Sequence, residues 1–195
     1  PKVLPVPEPA TIAAVQQSWQ LVKKQADIVV LVDTSGSMRK DSKIDNAREA
    51  IKSFLEDQSG ANNIGLVRFS TSVETLVPLA GFESNRSTII SQVDTLQASG
   101  DTALYDALLT TIDEFAKASD NSRIRAIIVL SDGQDTSSAA RVNDVVRRLQ
   151  EVRNSKSPIL VIPIAYGGDA DINALNAIAR ASDTKVQSGD EKNIK

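Results

Sequence analysis

The chain has 195 residues, 41% hydrophobic and 24% charged, with a net charge of −3. That is the balance of an ordinary globular domain plus an appendage, and with no basic stripe it argues against nucleic acid as a partner. There is no cysteine and no histidine. This excludes a disulfide framework, thiolate metal sites, the usual zinc sites and Ser-His-Asp or Cys-His catalysis. Any metal is therefore held by oxygen, which favours magnesium, calcium or manganese. No apolar run is long enough to span a bilayer and no signal peptide is recognisable, so no direct membrane insertion is expected.

The chain opens "PKVLPVPEP", a stiff Pro-rich lead-in of the kind found between domains. Next, Ile12, Val15, Trp19 and Val22 have helical spacing and predict an amphipathic lead-in helix. Residues 1–25 are read as linker and lead-in helix, and 26–195 as the main domain. The chain lacks an initiator Met and stops at "DEKNIK", where a helix is about to start, so it is read as a piece of a longer protein.

From Asp27 onward, strands and helices alternate. "DIVVLVD" is an unbroken apolar run, the mark of a strand covered on both faces. "SKIDNAREAIKSFLED" is a helix with Ile44, Ala47, Ile51, Phe54 and Leu55 inward. "NIGLVRFS" and "VETLVPLA" are strands separated by so few residues that they pair antiparallel. "RSTIISQVDTLQ" and "TALYDALLTTIDEFAKA" predict helices, "IRAIIVLSD" a second buried strand, and "AARVNDVVRRLQEV" a helix. "PILVIPIAYG" is a strand, "DINALNAIARAS" a helix and "TKVQSG" a short edge strand. Arg147, Arg148 and Arg153 share a predicted helix and read as a solvated face. The fold class is α/β, with a mostly parallel sheet and helices on both faces. Pro163 cannot donate to a ladder, which puts its strand next to the sheet edge, with either its nitrogen facing a gap or a bulge there.

In an open α/β sheet, ligands bind beyond the carboxyl ends of the strands, where strand order reverses. Asp33 follows the first apolar strand in "DTSGSM", and Asp132 follows the second in "VLSDGQDT". If those strands are neighbours, both carboxylates reach one rim. Ser35 and Ser37 follow Asp33 at alternate positions around a bend at Gly36, and Thr102 opens a helix in "GDTALYDAL". Five oxygen-bearing side chains plus water suit a hard divalent cation. Two Asp neutralise a +2 ion and the hydroxyls add no charge, so the ion is open to one further carboxylate from a partner. Taken singly, the same residues have plainer readings: turn and helix capping for Ser35 and Ser37, an N-cap for Thr102, a turn for Asp132. Asp101 and Asp135 are read as supporting or capping residues, and Tyr105 and Asp106 as helix surface and packing.

Asp-x-Ser-x-Ser, a later Thr opening a helix and a later Ser-Asp-Gly together resemble the metal-ion-dependent adhesion site of von Willebrand factor type A domains, the family that includes integrin I domains. The resemblance covers about Ala26 to Asp190. It implies a doubly wound, Rossmann-like, six-stranded sheet of order 3-2-1-4-5-6 with only strand 3 antiparallel. It also implies a metal site in which Ser35 and Ser37 bind directly, Asp33 and Asp132 directly or through water, and Thr102 in the ligand-competent state. The implied function is a binding module for a protein ligand that offers an acidic side chain. The alternative is a subunit that co-operates with an AAA-type ATPase in remodelling or metal insertion. The lead-in is similar to bacterial proteins that carry an upstream solute-binding domain, which implies an extracytoplasmic location, with a cytoplasmic one going with the ATPase alternative. An enzyme is not expected: magnesium-dependent phosphoryl transfer wants a second Asp two residues after Asp33, where this chain has Ser35, and no Lys falls in the site loops.

Overall fold

The unbroken apolar run after Gln25 becomes the centre of a six-stranded sheet. The computed structural model describes residues 25–117, 122–132, 134–153, 158–167 and 170–188. The expected lead-in helix, with Ile12, Val15, Trp19 and Val22, lies outside the described residues. The strands are β1 (Ala26–Asp33), β2 (Asn63–Phe69), β3 (Val73–Gly81), β4 (Ile124–Ser131), β5 (Ile159–Ala165) and β6 (Gln187–Ser188). The helices are α1 (Lys43–Glu56), α2 (Phe82–Asp94), α3 (Leu104–Lys117), α4 (Val142–Arg153) and α5 (Ile172–Ala181), and a 3-10 segment over Gly36–Ser42 links β1 to α1. The sheet order is β3-β2-β1-β4-β5-β6, with β3 antiparallel to β2 and every other pair parallel.

Successive side chains of a strand point to opposite faces, so β1 feeds two cores. Val29 and Leu31 pack with Leu104, Leu108 and Ile112 of α3 and with Val145 and Leu149 of α4. Ile28, Val30 and Val32 pack with Ile44, Ala47, Ile51 and Leu55 of α1 and with Phe82, Ile89 and Val93 of α2. Burial on both faces is why β1 and β4 read as continuous apolar runs rather than alternating ones. Among the described residues, no helix is long and apolar enough to cross a membrane. The arginines of α4 sit in surface ion pairs, Arg147 with Asp144, Arg148 with Asp113 and Glu151, and Arg153 with Asp183.

Pro163 lies in β5, one strand in from the edge. Its pairing with β4 runs through Val129 without a register break, and β6 pairs only with Ile164 and Ala165. The first alternative therefore holds: no bulge is needed, because among the described residues no strand pairs with Pro163 on its other side. Helix α2 starts four residues earlier than its pattern predicts. Its first turn, "FESN", is polar except for Phe82, which is buried and whose N–H bonds to the Asn62 carbonyl. One inward residue per turn gives no period to read.

The β2–β3 hairpin carries register shifts around Leu66, next to Gly65. A Cβ on Gly65 would stand 3.0 Å from the Leu79 nitrogen and 3.1 Å from the Val77 carbonyl oxygen, both backbone atoms that cannot step aside. Gly65→Ala is expected to cost about 1–3 kcal/mol in a urea titration while leaving the cleft described next unchanged.

Candidate metal centre

The pleat decides where each carboxylate goes. The β1–β4 register pairs Val32 with Leu130, which brings Asp33 level with Ser131 on the α3 face and sends Asp132 to the α1 face. Ser131 Oγ donates to Asp33 Oδ2 at 2.6 Å and the Ser35 N–H to Asp33 Oδ1 at 2.8 Å. Asp33 is fully buried and lies beneath the cleft rather than in its wall. Asp132, 1% exposed, accepts a hydrogen bond on Oδ1 from Ser37 Oγ at 2.7 Å, and Ser37 Oγ stands 2.9 Å from Ser35 Oγ. Ser35, Ser37, Thr102 and Asp132 all line one cleft of about 650 Å³, together with Lys40, Lys43, Gly100, Asp101, Gln134, Thr136 and Ala170.

Backbone bonds sew the three site segments together. The Thr34 N–H bonds to the Phe69 carbonyl, the Ser99 N–H to the Thr34 carbonyl at 2.7 Å and the Gly36 N–H to the Gly100 carbonyl at 2.9 Å. Thr136 and Ser137 N–H groups both bond to the Thr102 carbonyl, and the Ala103 N–H to Ser70. Gly100 sits at φ +82°, and a Cβ there would fall 2.6 Å from Thr71 Oγ1, so only glycine closes this loop.

Capping, the plainer reading of the hydroxyls, is carried out by other residues. Ser35 precedes the 3-10 segment without a side-chain cap bond. The first N–H groups of α3 are taken by Asp135, which accepts from Tyr105, and by Ser138, whose Oγ accepts from Asp106. Thr102 is thus not the cap of α3, and its buried side chain stays at the cleft. Asp135 is a capping residue, one of the two readings open for it. Asp106 is more than helix surface: its carboxylate accepts from the Ala139 and Ala140 N–H groups and anchors the loop that follows Asp132. Asp101 is exposed, its N–H bonded to Thr71 Oγ1.

The residue that sequence reasoning missed is Lys43. The expectation that no Lys falls in the site loops is corrected: Lys40, in the 3-10 segment, lines the cleft, and Lys43 Nζ donates to Asp132 Oδ2 at 2.6 Å, with both of those side chains buried. A signal for it exists. Lys43, Ala47, Ile51 and Leu55 are all buried at intervals of four, so the lysine heads the inward stripe of α1. The left-handed backbone of Asp41 and Ser42, at φ 52° and 55°, turns the chain into that helix.

One buried ammonium thus pairs with Asp132, while Asp33 has only hydrogen-bond donors. Burial pushes the Asp33 carboxyl above its ordinary value of 3.8; the bonds from Ser131 and Ser35 pull it down, and Asp132 adds a smaller upward push. Among the described residues no cluster of three or more acidic side chains is found, so the site is a mixed hydroxyl–carboxylate one. Its donors fit a hard cation. Cis oxygens around octahedral magnesium are about 2.9 Å apart, √2 times a bond of about 2.0–2.1 Å. The Ser35–Ser37 and Ser37–Asp132 separations of 2.9 and 2.7 Å match that edge.

Comparison with known proteins agrees with this architecture. The family model of the von Willebrand factor type A domain matches residues 27–194. The chain belongs to that family. Pig inter-alpha-trypsin inhibitor heavy chain H4 is 25% identical over 153 residues, 76% of this chain, which spans only 16% of that protein's length. A von Willebrand factor type A protein from Catenulispora acidiphila superposes with a TM-score of 0.72 at 24% identity, over 85% of this chain and 38% of the other. Mussel proximal thread matrix protein 1, solved with a zinc-occupied MIDAS motif, gives 0.69 at 21% identity, over 85% of this chain and 44% of the other.

The Asp33 shift has a consequence for this type A domain without metal. A carboxyl whose folded pKa lies above its unfolded one contributes most stability below the unfolded value, and that contribution is lost as pH rises through the folded one. In the presence of a chelator, Asp33→Asn removes the ionising group. Its melts are expected to lie at or above wild type at pH 7 and to fall less steeply between pH 4 and neutrality. A variant that loses stability in parallel with wild type across that range contradicts the assignment.

Proposed function

We propose that this type A domain is a divalent-cation-dependent protein-binding module, and that the cation is completed by a carboxylate from the partner. What carries the reading is the run Ser35 Oγ, Ser37 Oγ, Asp132 Oδ1, a hydrogen-bonded chain of oxygens with successive separations of 2.9 and 2.7 Å on the wall of an open cleft. Ser35, Ser37 and Asp132 would hold the ion, Thr102 would join from the third segment, and Asp33 would act from below, through water or by fixing Ser35. The all-oxygen set favours magnesium, with calcium or manganese as substitutes. The mussel protein's zinc-occupied motif supports the idea that this fold carries such a site.

When bound, the ion supplies an electrophilic position for an incoming carboxylate. The chain's own residues hold the loops, keep two acids dry and aim the hydroxyls. Binding rather than turnover follows from the inventory. The chain has no histidine or cysteine and carries Ser35 where a phosphoryl-transfer acid would stand, which supports binding over turnover.

Calorimetry with magnesium and manganese tests this. Wild type is expected to take up one ion, and Ser37→Ala to weaken uptake at least about tenfold with its fold intact. The loaded protein is expected to bind a capped Gly-Asp-Gly peptide and ignore Gly-Asn-Gly, with chelator abolishing the difference. Equal binding of both peptides, or no uptake of either ion, rejects the reading.

A further inference from the structure

Lys43 is the one residue of the inward stripe of α1 that does not suit a core. A lysine is almost never buried unless paired, and this one is paired on a single side. Its ammonium sits 2.6 Å from Asp132 Oδ2, while the other oxygen of the same carboxylate faces Ser37 at 2.7 Å. Asp132 thus turns one oxygen to the lysine and one to the hydroxyl pair. The ammonium is also held from behind. Gly167, in the segment after β5, has φ +76°, and a Cβ there would lie 3.0 Å from Lys43 Cε and 3.1 Å from Nζ. A side chain there would be strained by the positive φ and would crowd the lysine's end by a few tenths of an ångström, so the Gly167 backbone packs close behind the ammonium.

We propose that Lys43 makes the loaded site an anion receptor by fixing its charge at +1. The two buried carboxylates and one buried ammonium sum to −1, the exposed Lys40 and Asp101 of the cleft cancel each other, and a divalent ion brings the total to +1 rather than to the zero that the two aspartates alone would give. Because the lysine engages Oδ2, it stays in place when Oδ1 turns to the ion. This inference rests on the proposed metal site and adds the basis of its selectivity. The residual positive charge disfavours neutral amide or hydroxyl ligands and favours a carboxylate, which restores neutrality in a largely buried setting. The same charge repels the ion itself, so metal affinity is held down while ligand affinity is raised. Lys43 is in this account a specificity-determining residue that touches neither ion nor partner.

The test uses two variants and two probes, manganese alone and then the capped Gly-Asp-Gly peptide on the manganese-loaded protein. Lys43→Gln keeps a hydrogen-bond donor for Asp132 but no charge, and Lys43→Met continues the apolar stripe should the glutamine variant not fold. Either variant is expected to bind manganese about tenfold more tightly than wild type, and its loaded form to bind the peptide about tenfold more weakly. If the variants match wild type in peptide affinity, or bind manganese more weakly, the charge proposal is overturned and Lys43 only orients Asp132. If wild type takes up no manganese, the metal site itself fails, and this proposal with it.

Discussion

Two carboxylates at the ends of neighbouring parallel strands are buried with a single buried ammonium, which pairs with one of them, and the rest of the site is arranged around that imbalance. Asp33 and Asp132 are essentially inaccessible, and ionised acids in such a place are costly unless compensated. Compensation is divided. Asp33 has a serine hydroxyl and a backbone N–H; Asp132 has Ser37 and Lys43. Hydrogen bonds stabilise but add no charge, so the pocket stays one positive charge short of neutral. A buried acidic site with spare negative charge and hydroxyls on its open side is a place for a cation.

The sheet makes this arrangement possible. β1 and β4 are neighbours because the chain runs outward to β2 and β3 on one side and returns to start β4 on the other. That reversal leaves a crevice beyond the strand ends, which is where doubly wound folds bind ligands. The pleat then sorts the acids, Asp33 toward α3 and Asp132 toward α1, where Lys43 waits. Holding three loops in register over such a crevice takes more than side chains. The bonds from Thr34, Gly36, Ser99, Ala103, Thr136 and Ser137 tie each segment to another, so the fold itself fixes where the oxygens stand. Asp106 and Asp135 extend the same scheme: by anchoring and capping from outside, they leave Thr102 at the cleft.

Much of this was legible in the residues. Buried strands announce themselves as unbroken apolar runs, and the close spacing of "NIGLVRFS" and "VETLVPLA" could only mean an antiparallel pair. The gathering of Ser35, Ser37, Thr102 and Asp132 at one cleft was expected if the two apolar strands were neighbours, an adjacency that only the family resemblance implied. What escaped did so for physical reasons. Lys43 looks like any lysine at a helix start, and only the four-residue interval to Ala47, Ile51 and Leu55 betrays that it points inward. The start of α2 was hidden because Phe82 alone faces the core there. The role of Asp106 depends on a loop more than thirty residues away, a contact no local pattern encodes. Asp33 sits under the cleft rather than in its wall, because the pleat that aligns it with Ser131 turns it from the opening.

The central claim is that hydroxyls and carboxylates from distant segments surround one divalent ion. Its most direct test is an anomalous difference map from crystals grown with manganese. The account predicts a single strong peak within bonding distance of Ser35 Oγ, Ser37 Oγ and Asp132 Oδ1, with Lys43 still on Asp132 Oδ2. A map with no peak there, with Lys43 Nζ and the serine hydroxyls bonded as they are in its absence, would contradict it.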